Sequence, residues 1–217
     1  MDIVSSLATG ILAYLLGSLP TGYLVALARG VDIRTVGSGN IGATNVLRTL
    51  GKPAGIFVLL IDALKGWLAV AVLPHLVLAV LGADASGAHG SQQIALGIVA
   101  GLGAIVGHNY TCWLHFKGGK GIATSAGVLL ALVPWALFII FSVWLLVFFS
   151  TRYVSLASIA AAASLPFASW LTHESLTKVL VTGAMGALAI YKHRANIQRL
   201  LHGTEPRFER KPKEASK

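Results

Sequence analysis

The sequence predicts an all-α fold, a polytopic membrane bundle of about seven transmembrane helices. Three observations carry this prediction: 55% of the 217 residues are hydrophobic, only 12% are charged, and the mean hydropathy is +0.75. A soluble domain typically contains about 25% charged residues. The net charge of +9 does not indicate nucleic-acid binding, because eight of the 17 Lys and Arg residues lie at or after Lys192. The single cysteine, Cys112, excludes an internal disulfide and a cysteine-based metal site, and neither a metal nor a cofactor is expected.

The first apolar run, residues 3–28, is predicted to be the first span. It is long enough to cross a membrane and has no basic segment before it, so a cleavable signal peptide is not expected. The run contains the cluster Gly17-Ser18-Leu19-Pro20-Thr21-Gly22. Pro20 has no N–H to donate and crowds the preceding turn, so we expect a kink there. The kink would serve either helix packing or the functional site.

A polar segment, residues 29–52, follows the first span. Its glycines spell G-x-G-x-x-G, but the acidic residue at the matching spacing, Asp62, lies in an apolar run and no βαβ unit is present, so a dinucleotide site is rejected. Small hydrogen-bonding residues and arginines instead favour a phosphate site over a plain cytoplasmic loop. We predict a backbone nest in this segment. Its supporting residues are Gly37, Gly39, Gly42, Ser38, Asn40, Thr44, Asn45, Arg34 and Arg48.

The second predicted span, residues 53–82, contains Asp62 and Lys65. A charge at mid-membrane costs about 2.5–3.5 kcal/mol on insertion scales, so both side chains should face the protein interior. Three positions apart on a helix, they share a face and can pair. A structural ion pair is favoured over a direct catalytic role.

The third predicted span, residues 94–107, follows a predicted loop at residues 83–93. Its glycines are spaced by four, at Gly97 and Gly101 and at Gly103 and Gly107. This spacing predicts close contact with a neighbouring helix.

The centre of the chain is the polar, glycine-rich stretch of residues 107–124. Lys117-Gly118-Gly119-Lys120-Gly121 could turn backbone N–H groups inward around an anion and supply positive charge. A helix starting at Ile122 would direct its positive dipole end to the same place. A Walker P-loop is rejected, because Leu114 stands where its first glycine should be and Gly121 replaces its hydroxyl residue. We predict an oxyanion cradle for phosphate, to which His108 and Thr124 also belong.

The apolar run of residues 122–149 decides the predicted topology. Positive segments should lie on one side of the membrane, which requires an even number of spans between Lys120 and the basic tail. Residues 155–171 and 176–191 supply two spans, so the run must cross and return near Pro134 or not cross at all. As a continuous helix it would be about 42 Å long, which is long for one crossing of a core about 30 Å thick but short for two. We take the hairpin, with seven spans, the N-terminus outside and the C-terminus in the cytoplasm.

The last segment begins with a basic stretch that is predicted to be helical. His193 and Asn196 share a face that turns back toward the bundle, so a site role is predicted for both. Residues 1–205 are predicted to form a single integral-membrane domain. Residues 206–217 are predicted to be a flexible basic tail that lies on anionic lipid.

Three stretches together resemble the motifs of the bacterial acyl-phosphate:glycerol-3-phosphate acyltransferase family. They are Gly37-Ser38-Gly39-Asn40-x-Gly42-Ala43-Thr44-Asn45, Gly107-His108 with Phe116-Lys117-Gly118-Gly119-Lys120-Gly121-x-Ala123-Thr124, and Thr151-Arg152-Tyr153-x-Ser155-Leu156-Ala157-Ser158. The Pro20 cluster, the Asp62/Lys65 pair and the His193/Asn196 segment also fit. Thr111 departs from the pattern, since the family usually has proline there.

The resemblance implies transfer of a fatty acyl group from a long-chain acyl phosphate to the sn-1 hydroxyl of glycerol 3-phosphate. The products would be lysophosphatidic acid and phosphate, in the first acylation step of phospholipid synthesis. It also implies a place in the bacterial cytoplasmic (inner) membrane, with the active site on the cytoplasmic face. Functional links to the enzyme that makes acyl phosphate and to the second acyltransferase follow from the same resemblance.

The resemblance also implies roles for individual residues. Glycerol 3-phosphate and the catalytic step would involve Ser38, Arg48, Lys120, His193 and Asn196. The other predicted substrate-binding residues, most of them assigned to the acyl phosphate, are Gly37, Gly39, Asn40, Thr44, Asn45, His108, Lys117, Gly118, Gly119, Gly121, Thr124 and Ser155. The base for the attacking hydroxyl is left open between His193, His108 and a phosphate oxygen of the substrate.

Two other functions can be compared with the sequence. The other large glycerolipid acyltransferase family uses His-x-x-x-x-Asp, and none of the seven histidines has Asp five residues later. A small anion or phosphate transporter would also gather cations around glycines, but it usually shows internal repeats and broken helices at mid-membrane. Polar segments predicted at a single membrane surface favour an enzyme.

Overall fold

The computed structural model describes residues 3–81 and 90–208, and within these ranges the regular structure is entirely helical. The α-helices are α1 (Ile3–Ser18), α2 (Thr21–Leu27), α3 (Ala43–Leu50), α4 (Lys52–Ala71), α5 (Leu73–Val80), α6 (Gly90–Asn109), α7 (Ile122–Leu132), α8 (Pro134–Thr151), α9 (Val154–Leu171), α10 (Leu176–Lys192) and α11 (Arg194–Leu201). A 3-10 turn, Cys112–Leu114, lies between α6 and α7.

Within the described residues, five helical segments are long and apolar enough to cross a membrane. They are Ile3–Leu27, Lys52–Ala71, Gln92–Leu114, Pro134–Thr151 and Val154–Leu171. The predicted all-helical membrane class is therefore confirmed. The helices α7, with 11 residues, and α10, with 17, are shorter. The count of seven spans and the orientation of the termini stay predictions.

The chain divides into two compact units, with the boundary after Pro134. In the first unit, α1 packs against α6, and α4 packs against α3 and α7. The predicted glycine contacts are present, because a Cβ on Gly107 would collide with the Tyr14 carbonyl of α1 and one on Gly103 would crowd the Gly10 carbonyl. The backbones of α1 and α6 are thus in close contact along their length.

The predicted kink at Pro20 is a complete break between α1 and α2. The carbonyls near the break are bonded by side chains from other parts of the first unit. Thr111 Oγ1 donates to the Ser18 carbonyl, and Lys65 Nζ donates to the Leu19 carbonyl at 2.9 Å. The break is therefore integrated into the packed core.

The predicted second span, residues 53–82, was too long. The structure ends α4 at Ala71, and Val72, with φ −118°, joins it to the separate helix α5. Pro74 lies in the first turn of α5, where a missing N–H is tolerated, but it cannot continue α4. The predicted loop at residues 83–93 was also wrong at its end, because α6 begins at Gly90. Residues 82–89 lie outside the described ranges.

The predicted interruption near Pro134 is confirmed. The helix α7 ends at Leu132 and α8 begins at Pro134, with Val133 in a non-helical conformation at φ −148° and ψ 62°. Whether these two helices form the predicted crossing and return stays a prediction.

In the second unit, α9 packs against α10, and α11 contacts both. The chain after α11 folds back onto the corner between α8 and α9. The Phe208 N–H donates to the Arg152 carbonyl at 2.9 Å, and Arg207 Nε donates to the Tyr153 hydroxyl at 3.0 Å. The first residues of the predicted flexible tail are thus packed, and residues 209–217 lie outside the described ranges.

Candidate functional site

The segment before α3 is folded around one buried side chain, Asn45. Its amide nitrogen lies within hydrogen-bond distance of the carbonyls of Ile33 (3.2 Å), Val36 (3.1 Å) and Asn40 (2.9 Å). Its Oδ1 accepts from the Ser38 N–H at 2.9 Å. The polar atoms of Asn45 are therefore engaged inside the loop, and the side chain acts as its scaffold.

This arrangement corrects the predicted nest of backbone N–H groups. The Ser38 N–H is bonded to Asn45, and the Gly39 N–H donates to the Val36 carbonyl at 3.0 Å. Gly37 has φ 59°, and a Cβ on it would collide with Asn45 Oδ1. The glycine at this position serves the wrapping of the loop around Asn45, and binding of a ligand would fall to side chains.

In this segment the side chains of Ser38 and Arg48 are both exposed. Thr44, in the first turn of α3, is half-buried. Arg34 is paired with Asp32 at 2.7 Å and lies over the Tyr23 ring. The hydrogen bonds from Arg34 lower the pKa of Asp32 to about 2, so this pair stays charged at neutral pH.

The glycine–lysine loop between α6 and α7 is attached to the end of α6. The Gly118 N–H donates to the Asn109 carbonyl at 3.2 Å, and the Gly119 N–H donates to the His108 carbonyl at 3.0 Å. These two N–H groups satisfy carbonyls that a helix end leaves open. The prediction that they turn toward an anion is therefore wrong in this structure.

The features of this loop that suit an anion are its two lysines and the N-terminus of α7. Lys117 is exposed and Lys120 is half-buried. Gly121, with φ 77°, precedes α7, whose positive dipole end points at the loop as predicted. Thr124 is fully buried in the first turn of α7, and its hydroxyl has no hydrogen-bond partner among the described residues.

Beneath this loop lies a buried charged cluster. The predicted pair is confirmed: Lys65 Nζ lies 2.8 Å from Asp62 Oδ1, and both side chains are 3% exposed. The sequence did not indicate that His108 joins them, with its Nδ1 at 3.0 Å from Lys65 Nζ and 3.7 Å from Asp62 Oδ1. Thr21 Oγ1 donates to the same carboxylate oxygen at 3.1 Å. The cluster therefore connects α2, α4 and α6.

The second unit contributes a separate set of residues, centred on the start of α11. His193 and Asn196 are buried, as the shared face predicted. His193 Nδ1 lies 2.7 Å from the Ala189 carbonyl, so this nitrogen donates and Nε2 carries the lone pair when the ring is neutral. Ser155, at the start of α9, is also buried.

Glu205 is the residue of this set that sequence reasoning missed. Its carboxylate is buried and accepts from Asn196 Nδ2 and from Arg199 Nε, each at 2.7 Å. Burial alone would raise the pKa of Glu205, but the nearby Ser155 hydroxyl and the hydrogen bonds from Asn196 and Arg199 outweigh it, and the pKa lies below its ordinary value. The signal that could have found it is that Glu205 is the single acidic residue between Lys192 and Phe208.

The fold and these side chains define a helical integral-membrane protein with cationic and hydroxyl groups suited to phosphorylated ligands. Comparison with known proteins gives the particular family. The family model described as glycerol-3-phosphate acyltransferase matches residues 7–203. The chain belongs to this family, and it is a membrane acyltransferase.

Individual relatives agree with this assignment. The glycerol-3-phosphate acyltransferase of Geotalea daltonii is 46% identical over 198 residues, covering 91% of this chain and 95% of that protein. Glycerol-3-phosphate acyltransferase 2 of Moorella thermoacetica is 50% identical over 196 residues, covering 90% and 93%. The crystal structure of PlsY, an integral membrane glycerol 3-phosphate acyltransferase, in its glycerol 3-phosphate form has a TM-score of 0.81 and 41% identity, covering 94% of this chain and 96% of that one. Its lysophosphatidic acid form has a TM-score of 0.79 and 40% identity, with the same coverage.

Proposed function

We propose that this chain transfers a fatty acyl group from a long-chain acyl phosphate to the sn-1 hydroxyl of glycerol 3-phosphate. The hydroxyl oxygen bonds to the acyl carbonyl carbon, and the bond from that carbon to the phosphate oxygen breaks. Inorganic phosphate leaves with the electron pair, and lysophosphatidic acid is the product. The observation that carries the proposal is Lys120, half-buried between Gly119 and Gly121 at the start of α7. The two forms of the related PlsY structure, with glycerol 3-phosphate and with lysophosphatidic acid, support the acceptor and the product.

Glycerol 3-phosphate is proposed to bind to cationic and hydrogen-bonding side chains. Ser38, Arg48 and Lys120 would hold its phosphate and glycerol oxygens, because an arginine fork and a compact ammonium both suit phosphate. His193 and Asn196 would orient the hydroxyl that attacks. With Nδ1 donating to the Ala189 carbonyl, His193 would present Nε2 as an acceptor.

Acyl phosphate is proposed to bind through Lys117, Thr44, Thr124 and Ser155. The buried Thr124 hydroxyl supports this part of the proposal, because buried polar groups normally have a hydrogen-bond partner. Asn40, Asn45 and the glycines Gly37, Gly39, Gly118, Gly119 and Gly121 would shape the two loops. An acyl phosphate is already activated, so either His193 or a phosphate oxygen of the substrate would suffice to take the hydroxyl proton.

The membrane arrangement is part of the same proposal. Residues 1–205 would form one membrane domain of seven spans in the bacterial cytoplasmic membrane, with the N-terminus outside and the active site on the cytoplasmic face. The basic side chains of the tail would favour anionic lipid. The reaction needs an enzyme that makes acyl phosphate before it and a second acyltransferase after it.

The test is an assay of the purified protein with palmitoyl phosphate and radiolabelled glycerol 3-phosphate, followed by lipid extraction. We expect labelled lysophosphatidic acid and one inorganic phosphate released per acyl group transferred. Palmitoyl-CoA and acyl carrier protein thioesters, offered in the same assay, should give no product. Comparable turnover with palmitoyl-CoA would contradict the proposed donor. Uptake of label into proteoliposomes with no labelled lipid would favour the transporter.

A further inference from the structure

The buried cluster of Asp62, Lys65 and His108 determines which nitrogen of His108 carries a proton. Lys65 Nζ contacts three acceptors: the Leu19 carbonyl at 2.9 Å, Asp62 Oδ1 at 2.8 Å and His108 Nδ1 at 3.0 Å. An ammonium group has three N–H bonds and no lone pair, so each of these contacts uses one donor. His108 Nδ1 must then be the acceptor, and the proton of the neutral ring lies on Nε2.

The opposite assignment is disfavoured by the burial of Asp62. If Lys65 were an uncharged amine accepting from Nδ1–H, the carboxylate would lose the cation that neutralises it at 2.8 Å. An unpaired buried charge costs several kcal/mol. The ammonium form of Lys65, with unprotonated Nδ1 on His108, is therefore the consistent arrangement.

Among the described residues, Asp62 and Lys65 are the charged groups at the His108 ring. Within their described ranges, α1 and α7, which pack on α6, contain no charged residue. The helix α5 contributes one titratable group, His75, whose Nε2 lies 2.6 Å from Gln93. Asp62 and Lys65 are the charged residues of α4 at this site, and Lys117 and Lys120 are those of the neighbouring loop.

The protonated nitrogen of His108 lies against the loop that carries Lys120. A Cβ on Gly119 would collide with His108 Nε2, so this edge of the ring contacts the Gly119 backbone. The His108 carbonyl accepts from the Gly119 N–H on the same stretch. The backbone and the side chain of one residue thus both hold the loop.

We propose that His108 is a positioning residue, fixed by Lys65 and Asp62 as an Nε2–H donor that holds the Gly118–Lys120 stretch, and not the base of acyl transfer. A base needs a lone pair, and Nδ1 has committed its own to the Lys65 ammonium. The kinetic part of this inference rests on the proposed function, whereas the protonation of the ring does not.

The direct test is nitrogen NMR of the purified protein with ¹⁵N-labelled histidine side chains. The His108 signals are assigned by their disappearance in His108→Gln. We expect protonated Nε2 and unprotonated Nδ1 at neutral pH. A spectrum with the proton on Nδ1, or with both nitrogens protonated, would overturn the proposal. Lys65→Met, with Asp62→Asn to remove the unpaired charge, should abolish this preference, and an unchanged His108 spectrum in that variant would also contradict it.

The second test compares two replacements of His108. Glutamine places an N–H donor near the position of Nε2, whereas leucine removes it. We expect kcat/KM to fall about 10- to 100-fold in His108→Leu, which removes the N–H that lies against Gly119, and to recover at least partly in His108→Gln. The matched control is His115→Asn, an exposed loop position with φ 53° that asparagine tolerates, and it should be unaffected.

The outcomes separate the two proposals. If the wild-type protein makes no lysophosphatidic acid from palmitoyl phosphate, the proposed donor fails while the NMR result still decides the state of His108. If the wild type is active and His108→Gln is as inactive as a variant lacking any donor, the positioning role is refuted.

Discussion

Replacement of Glu205 tests whether one carboxylate positions the side chains of Asn196 and Arg199. Its two oxygens accept from Asn196 Nδ2 and from Arg199 Nε, each at 2.7 Å, and its side chain is 4% exposed. In Glu205→Gln the amide oxygen can still accept from Asn196. The amide nitrogen would face Arg199 Nε, so two N–H donors would face each other and this hydrogen bond would be lost.

The magnitude follows from these contacts. Hydrogen bonds to charged groups contribute about 1.5–3 kcal/mol, and the 35% exposure of Arg199 places this one near the lower limit. Glu205→Gln should therefore cost about 1.5 kcal/mol. Glu205→Ala also removes the acceptor of the buried Asn196 amide, which adds about 1–3 kcal/mol. For a chain of this size, each kcal/mol corresponds to a fall in Tm of about 2–4 °C.

The assay is thermal unfolding in detergent together with the KM for glycerol 3-phosphate, which should rise because Asn196 loses its anchor. Glu174→Gln is the matched control, because it removes a pair of similar length, 2.8 Å to Lys178 in the first turn of α10, whose two side chains are partly exposed. Ion pairs that solvent reaches are worth only about 0.2–1 kcal/mol. Equal Tm losses in the two glutamine variants, with an unchanged KM, would refute the reasoning.

The same carboxylate gives a pH dependence with a defined sign. The folded-state pKa of Glu205 lies below its ordinary value of 4.5, so its contribution is present above that pH and is lost as pH falls through the folded-state pKa. The difference in stability between wild type and Glu205→Gln should therefore be constant near neutral pH and shrink below about pH 4.5. A difference that grows on acidification would contradict this sign.

Three further predictions concern the first unit and the topology. Lys120→Ala should lower kcat/KM by about two orders of magnitude, near 3 kcal/mol of transition-state stabilisation, and Lys120→Arg should also have a low kcat/KM. Normal turnover of folded Lys120→Ala would contradict the proposed phosphate-binding role of this loop. Gly127→Ala, whose Cβ would collide with the Ala63 carbonyl, should destabilise the α4–α7 contact by about 1–3 kcal/mol in a detergent unfolding assay, whereas Gly90→Ala, with open space around it, should not. With Cys112 replaced, a cysteine at position 86 or Glu174 should react with an impermeant thiol reagent outside intact cells, and one at Thr35 or Lys211 should not; external labelling at Lys211 would contradict the hairpin at Pro134.

Local patterns in the sequence predicted the helices and the side chains that share a face. Asp62 with Lys65, and His193 with Asn196, lie three residues apart, so helical geometry alone brings each pair to one side. The break between α4 and α5 was missed because only the apolar pattern, which continues through Val72, was considered, whereas Pro74 marks where α4 cannot continue. Hydropathy identifies what enters the membrane but does not show where the backbone leaves its helix.

The contacts that sequence reasoning missed depend on tertiary packing. Gly118 and Gly119 suited an anion nest, yet the same small size and backbone freedom also suit attachment to the end of α6, and the structure uses the second option. Glu205 reaches Asn196, nine residues earlier, only through the turn at Gly203, which has φ 68°. His108 contacts Asp62 and Lys65, although it lies 43 residues after the lysine in the sequence. A contact over this separation cannot be predicted from a local sequence pattern.

The break at Pro20 has a consequence for biosynthesis. A membrane core supplies no water for open carbonyls, so a helix interrupted there needs partners from the protein itself. The Leu19 carbonyl receives Lys65, 46 residues later, and the Ser18 carbonyl receives Thr111, 93 residues later. While the chain is being translated, the first segment therefore inserts before the Ser18 and Leu19 carbonyls have their hydrogen-bond partners. It reaches its final structure only after residue 111 has left the ribosome. The break at Pro20 thus acquires its hydrogen-bond partners only when residues from later in the chain have been inserted.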